Sequence, residues 1–249
     1  MLVLLLAGLL FPALSRAAGE APAEFSAANK LYAEGKFAEA AGAWEKSIQD
    51  IQAARLASPT LYFNYGNAEF KLGHLGRAIA AYRHAALLAP RDSEVLGNLA
   101  FARNQVQGAT VRPARWQSWA GALTFNEGAG LTAAAFWLTF GLLALKQIQP
   151  ALAPRLRGLT LAAVGATIVF GAVLAVQADN HFARQTAVVI ESNVIARSGP
   201  WDDAQNAFAV HDGAELSVLD RHDDWLQVAD GTGKTGWLPS KQLELLPGD

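Results

Sequence analysis

Cysteine is missing from all 249 residues. Its absence removes disulfides, thiolate nucleophiles and zinc-thiolate sites together, while permitting an oxidising compartment. Charge of one sign is also lacking. A formal net charge of −2 offers nothing to draw a nucleic acid or another polyanion. The five histidines, at positions 74, 84, 181, 211 and 222, have no helical or hairpin spacing that would let them share a metal, so neither a metal nor a cofactor is expected. Catalytic signatures are missing too: there is no Gly-x-Ser-x-Gly elbow, His-Glu-x-x-His helix or Gly-x-Gly-x-x-Gly turn. Gly233-Lys234-Thr235 has the last letters of a phosphate-binding loop. Val228, however, stands where that loop needs a glycine, and Gly236-Trp237 follow where it needs a helix, so a hairpin turn is read there. Asp223 and Asp224 precede a strand and read as a solvated loop. An enzyme is not expected.

Two long apolar runs dominate the chain instead. Gly128 to Leu145 is 18 residues without a charge, and Gly158 to Ala178 is 21. An α-helix needs about 20 residues to cross a bilayer's hydrocarbon core, so both runs are long enough to span, which gives spans at 128–147 and 158–178. The alternative is a pair of buried helices in a soluble core. Against it stand Trp116 and Trp119 just ahead of the first run, where indole rings favour a bilayer edge, in a linker over 109–127. Lys146, Arg155 and Arg157 surround the link at 148–157, which carries no acid. Only Arg115 and Arg184 flank the spans on the far side. Basic residues resist translocation, so the link faces the cytoplasm and both large flanking segments lie outside it. The runs Gly128 to Leu145 and Gly158 to Ala178 hold no ionisable residue, which argues against an ion or proton path.

Leu2 to Leu14 is apolar but too short to span comfortably. Ser15 and Ala17 fit the small positions of a signal-peptidase site, so 1–17 reads as a secretory signal, with an uncleaved anchor as the alternative. Either version exports the helical segment after it.

From Phe25 to Val106 apolar residues recur at three and four spacing, and the pattern repeats. Gly35, Ala40 and Trp44 align with Gly73, Ala78 and Tyr82 at an offset of 38. In Leu61 to Pro90, the residues Tyr62, Tyr65, Gly66, Gly73, Ala78, Tyr82, Ala85 and Pro90 resemble a tetratricopeptide repeat, within a helical domain over 22–108. Gly66 and Ala78 are small so that two helices touch backbone to backbone, Tyr82 fills the space beside them, and Pro90 ends the second helix. The long offset implies a second helix about one turn longer in the first copy, around Ile48 to Leu56. A third copy begins at Asp92, with Asp92 or Ser93 as cap and Leu96, Leu99 and Ala100 in register, but no partner helix comes after it, so the array reads as short and closed. Its concave face is expected to carry Phe25, Asn29, Tyr32, Phe63, Asn67, Phe70 and Lys71. Together these would hold an extended peptide by stacking and amide hydrogen bonds, although asparagine is ordinary at that position and the aromatics also suit packing.

Beyond Thr186 the texture changes to short alternating runs, Thr186 to Glu191, Glu215 to Asp220, Trp225 to Ala229 and Lys234 to Leu238, punctuated by Gly, Asp and Pro. Ala196-Arg197-Ser198-Gly199-Pro200, His211-Asp212-Gly213, Asp224-Trp225-Leu226-Gln227-Val228 and Gly236-Trp237-Leu238-Pro239, in that order, resemble a bacterial SH3 domain over 186–247. Ile195 departs from the family, which usually has Asn there. Trp225 and Trp237 read as core or barrel-edge residues, because small barrels need large apolar side chains. The resemblance implies a shallow groove beside the Arg-Ser-Gly-Pro loop for wall peptides or protein segments, with Arg197, Trp201 and Trp237 as candidate contacts.

The chain thus reads as a multidomain membrane protein: an all-α repeat domain, a two-helix transmembrane hairpin and an all-β SH3-like barrel. This order of modules resembles the BatE-type proteins of the aerotolerance (Bat) operons. The resemblance implies an inner-membrane, periplasm-facing scaffold whose partners are von Willebrand type A domain membrane proteins and a MoxR-type ATPase, with a role in stress tolerance or envelope maturation. The residues alone support less: a non-enzymatic anchor holding two interaction modules on one side of a bilayer, where tethering raises the effective concentration of weak contacts. A peptidoglycan-binding wall sensor is the competing reading.

Overall fold

A computed structural model describes residues 23–108, 124–178 and 185–246. The signal segment 1–17 and the linker tryptophans Trp116 and Trp119 lie outside the described residues.

Five helices form the N-terminal unit: α1 (Ala23–Ala33), α2 (Phe37–Ala53), α3 (Pro59–Leu72), α4 (Leu75–Leu88) and α5 (Ser93–Arg103). They stack in sequence, α1 on α2, α2 on α3, α3 on α4 and α4 on α5. Local chemistry sets the boundaries. Ser58 accepts a hydrogen bond from the Leu61 amide, and Pro59 opens α3 at a position where its missing N–H costs nothing. Gly73, at φ 83°, ends α3 in the left-handed conformation that glycine adopts without strain. Asp92 caps α5 by accepting from the Glu94 and Val95 amides at 2.9 and 3.3 Å. At 17 residues, α2 is three longer than α4, though it stops at Ala53.

Where α3 and α4 cross, a Cβ on Gly66 would lie 2.8 Å from the Tyr82 ring and 3.3 Å from the Ala78 carbonyl. Only hydrogen fits there, which is the packing reason for the small-residue pattern. The buried stripe of α5 is Val95, Leu99 and Ala102. Leu96 and Ala100, expected in register, face solvent instead, because the helix is turned so that its inner face meets a second unit as well as α4.

Two long apolar helices come next, α6 (Phe125–Ile148) and α7 (Ala153–Ala178), packed antiparallel against each other. The link between them is shorter than 148–157. A single 3-10 turn, Pro150–Leu152, joins the helices, Lys146 lies in the last turn of α6, and Arg155 and Arg157 already belong to α7. Charge breaks apolarity but not a helix, and Pro150 and Pro154 sit at helix starts, where proline is tolerated. Thr124 and Glu127 form a reciprocal capping box on α6. The same carboxylate accepts both guanidinium arms of Arg91, at 2.9 and 2.8 Å, tying the α4–α5 turn to the start of α6. Thr139 and Thr167 meet across the pair at 3.2 Å.

The C-terminal unit is one antiparallel sheet of seven strands: β1 (Thr186–Val189), β2 (Val194–Arg197), β3 (Asn206–Val210), β4 (Glu215–His222), β5 (Trp225–Ala229), β6 (Thr235–Pro239) and β7 (Leu243–Leu246). They lie in the order β3-β2-β6-β5-β4-β1-β7. The Gly233-Lys234 segment forms the β5–β6 hairpin turn, with Gly233 at φ 86°. Asn193, at φ 57°, supplies the left-handed turn before β2, leaving Ile195 as an ordinary strand residue with a solvent-facing side chain. The core is aliphatic, built on Val189, Leu216, Leu226, Val228 and Leu238. Trp225 and Trp237 stay out of it. They alternate with Leu226 and Leu238 and therefore stand half-buried on the outer face.

The helical and β units touch. Helix α4 packs on β1 and β7, and Val188 and Leu246 share one buried cluster with Ile79, Tyr82, Leu99 and Ala102.

Candidate functional site

The concave side of the helical unit holds a cleft of about 280 Å³. Tyr32 on α1, Asn67, Phe70 and Lys71 on α3, Tyr82 on α4, and Asn98 and Phe101 on α5 line it. A short polar network organises its floor. The Tyr82 hydroxyl donates to Asn67 Oδ1 at 2.8 Å, and Asn98 Nδ2 donates to the same oxygen at 2.9 Å. Desolvation by burial pushes the Tyr82 hydroxyl above its ordinary range, so it stays protonated and remains a donor. Two donors saturate the Asn67 oxygen, leaving the Asn67 amide nitrogen, the Asn98 amide oxygen and the Lys71 ammonium to face a ligand. Phe70 and Phe101 meet with ring centres 5.6 Å apart and make the apolar wall. Peptide backbone has the matching chemistry: alternating carbonyls and amides, with side chains for the aromatic wall.

Four of the seven residues expected on this face, Tyr32, Asn67, Phe70 and Lys71, line the cleft. Phe63 turns inward and packs on Tyr82, with ring centres 6.0 Å apart. Asn29 is exposed on α1 and is not among the lining residues, and Phe25 lies in α1 with its side chain outside the described residues. Sequence reasoning missed Tyr82, Asn98 and Phe101. The signal was present: Gly66-Asn67 with Phe70 recurs as Gly97-Asn98 with Phe101, 31 residues on. The third copy supplies a first helix whatever follows it, and first helices line the concave face.

A second surface lies on the β unit. Arg197 on β2 and Trp237 on β6 are direct cross-strand partners, which puts both side chains on one face. Arg197 Nη1 donates to the Ala204 carbonyl at 3.2 Å and to Asn206 Oδ1 at 2.8 Å, bracing the β2–β3 loop. On that loop Trp201 is 57% exposed, its ring lying on Gly199 so closely that a Cβ there would collide with it. The Arg197–Trp237 pair and the exposed indole on the loop that Arg197 braces are amphipathic groups suited to a flat or extended ligand.

Both units have relatives. Residues 191–244 match the family described as bacterial SH3 domain, and residues 59–92 match the tetratricopeptide repeat. The chain is also similar to YgiM of Escherichia coli strain K12 and to its Shigella flexneri counterpart, both named as uncharacterized. The identity is 37% over 95 residues, 37% of this chain and 41% of each relative. The chain thus spans about two fifths of the length of these curated relatives. No solved structure matches it.

Proposed function

We propose that this chain is a non-enzymatic, membrane-anchored adaptor that holds a peptide segment of a partner protein in the cleft walled by Phe70 and Phe101, while its SH3 unit makes a second contact. The observation that carries the reading is the cleft itself: an aromatic wall, an amide ladder and a cation on three successive first helices. Bilayer insertion is supported by α6 and α7, whose Phe136, Trp137, Leu138, Ile168 and Val169 are large apolar side chains exposed on the surface of the pair. The basic residues 146, 155 and 157 gather at one end of the hairpin, and the Arg91–Glu127 pair at the other. By the positive-inside bias this distribution supports the reading that the helical and SH3 units lie on the extracytoplasmic side of a bacterial inner membrane. The module order supports membership of a Bat-type envelope complex, with von Willebrand A domain proteins and a MoxR-type ATPase as partners.

A photo-crosslinking residue at Phe101, activated in intact membranes, should trap a protein; trapping lipid alone or nothing overturns the adaptor reading. Reporter fusions at both ends and within 147–154 test the topology, and a cytosolic end overturns it. The wall-binding reading is favoured by one observation, the exposed Trp201 on the loop that Arg197, the strand partner of Trp237, braces. It requires the detergent-solubilised full chain to co-sediment with isolated peptidoglycan and the W201A variant to stay in solution.

A further inference from the structure

Helix α5 stands in the place of a repeat's first helix, and no second helix follows it among the described residues before α6. In a stacked array each repeat is covered by the next, so an unpaired last helix leaves an apolar face bare. Here that face is not bare: Leu99 and Ala102 are 4% and 0% exposed, and a barrel edge covers them, with Val188 from β1 and Leu246 from β7 in the same cluster.

Polar contacts hold the edge in place. Glu215, the first residue of β4, is 2% exposed and accepts from Arg103 on α5 through Nε at 2.8 Å and Nη2 at 2.7 Å, and from Arg83 on α4 at 3.3 Å. A bidentate arginine fixes direction as well as distance. At the start of α4 the Gly76 amide donates to Asp212 at 3.0 Å, and Gly213, at φ 84°, lays its backbone against Leu75, Ile79 and Val106.

The helix clamped on this side is the one that carries Asn98 and Phe101 into the cleft on the other. Tyr82 bridges the two: its ring sits in the cluster with Val188, and its hydroxyl holds Asn67.

We infer that the SH3 barrel is the terminal cap of the helical array, and that Glu215 is a positioning residue that sets the α5 wall of the cleft from the other module. The two modules are therefore one recognition unit, not two weak binders on a tether. The link to binding rests on the reading of the cleft as a ligand site; the capping does not.

The test uses the full chain in detergent and amide hydrogen exchange. Breaking a buried ion pair by removing one partner is strongly destabilising. E215Q should therefore raise exchange across 93–107 by about 100-fold, while α2 and the β5–β6 hairpin change less than about threefold. R103Q should do the same, and the double variant should fall far short of the product of the two, since a shared contact is lost only once. Unchanged α5 exchange in E215Q, equal acceleration throughout the barrel, or simple multiplication in the double variant overturns the cap. F101A, on the cleft side, should leave α5 protection within about threefold while abolishing partner trapping by a crosslinker at Lys71. Retained trapping sinks the cleft reading and leaves the cap standing.

Discussion

Gly76 gives the sharpest test of how the two units meet. It is the second residue of α4, and its φ is not in the left-handed region, so alanine suits its backbone. By helix propensity alone, Gly76→Ala should stabilise by about 1 kcal/mol. The surroundings say the opposite. A Cβ there would fall 2.9 Å from Ile190 Cα, 2.5 Å from Asp212 Oδ1 and well inside the shell of the Val189 carbonyl oxygen. Two of these three atoms are backbone at the end of β1 and just beyond it, so no rotamer change relieves the clash, and the barrel must retreat. Overpacking of this kind costs about 1–3 kcal/mol, and the stretched Gly76–Asp212 hydrogen bond about 1 more. After the propensity gain, the net loss is about 2 kcal/mol. For the two docked units unfolding together each kcal/mol moves Tm by about 2–4 °C, so thermal unfolding of the detergent-solubilised chain should fall by about 4–8 °C. In an E215Q background, where the barrel is already released, the same substitution should become neutral or stabilising. An unchanged or raised Tm in the otherwise native chain, or an equal loss in both backgrounds, refutes the reasoning.

Gly66→Ala should cost about 1–3 kcal/mol and loosen the cleft, because a Cβ 2.8 Å from the Tyr82 ring forces that ring, and its hydroxyl's bond to Asn67, out of place; denaturant unfolding and crosslinking at Phe101 read the two effects. Partial desolvation of Asp230 works to raise its pKa, but hydrogen bonds from the Thr232 hydroxyl and the Thr232 and Lys234 amides outweigh it and hold the carboxyl below its ordinary value. A depressed folded-state pKa contributes stability above the ordinary carboxylate range and loses it as pH falls through the folded value. The gap between the native chain and D230N should therefore be largest near neutrality and close below about pH 4, measured by thermal unfolding across pH. Thr139→Val should weaken the α6–α7 pair by less than about 1 kcal/mol, because Thr167 keeps its bond to the Ala163 carbonyl and is not left unsatisfied; dissociation of the hairpin in micelles would show the expectation to be wrong.

How much of this is legible in the chain depends on the range of the interaction. The α3–α4 crossing can be read because Gly66, Ala78 and Tyr82 are neighbours in sequence as well as in space. Strands β4, β5 and β6 can be read because alternation is local, and α6 and α7 because an uncharged run needs no partner to be noticed. The cleft is half legible: Asn67 and Phe70 announce themselves, whereas Asn98 and Phe101 sit in a helix whose sequence neighbours show no repeat pattern, so that it reads as a lid. The dock is not legible at all. Glu215, Arg83 and Arg103 are each unremarkable charges, and 132 and 112 residues separate the partners. Gly76 looks like one more small residue in an alanine-rich helix. The tryptophans mislead in the other direction, since size suggests the barrel core while the strand's alternation turns them outward.

The dock also imposes an order on biogenesis. Its helical half, Gly76 to Val106, leaves the ribosome before either apolar helix, and the strands that cover it emerge only after both. For that interval Leu99 and Ala102 lack the cover of β1 and β7 and Arg103 lacks Glu215, so the nascent chain presents a half-finished face. Any chain interrupted before β1 would carry that face permanently, a ready mark for proteolytic clearance of incomplete copies.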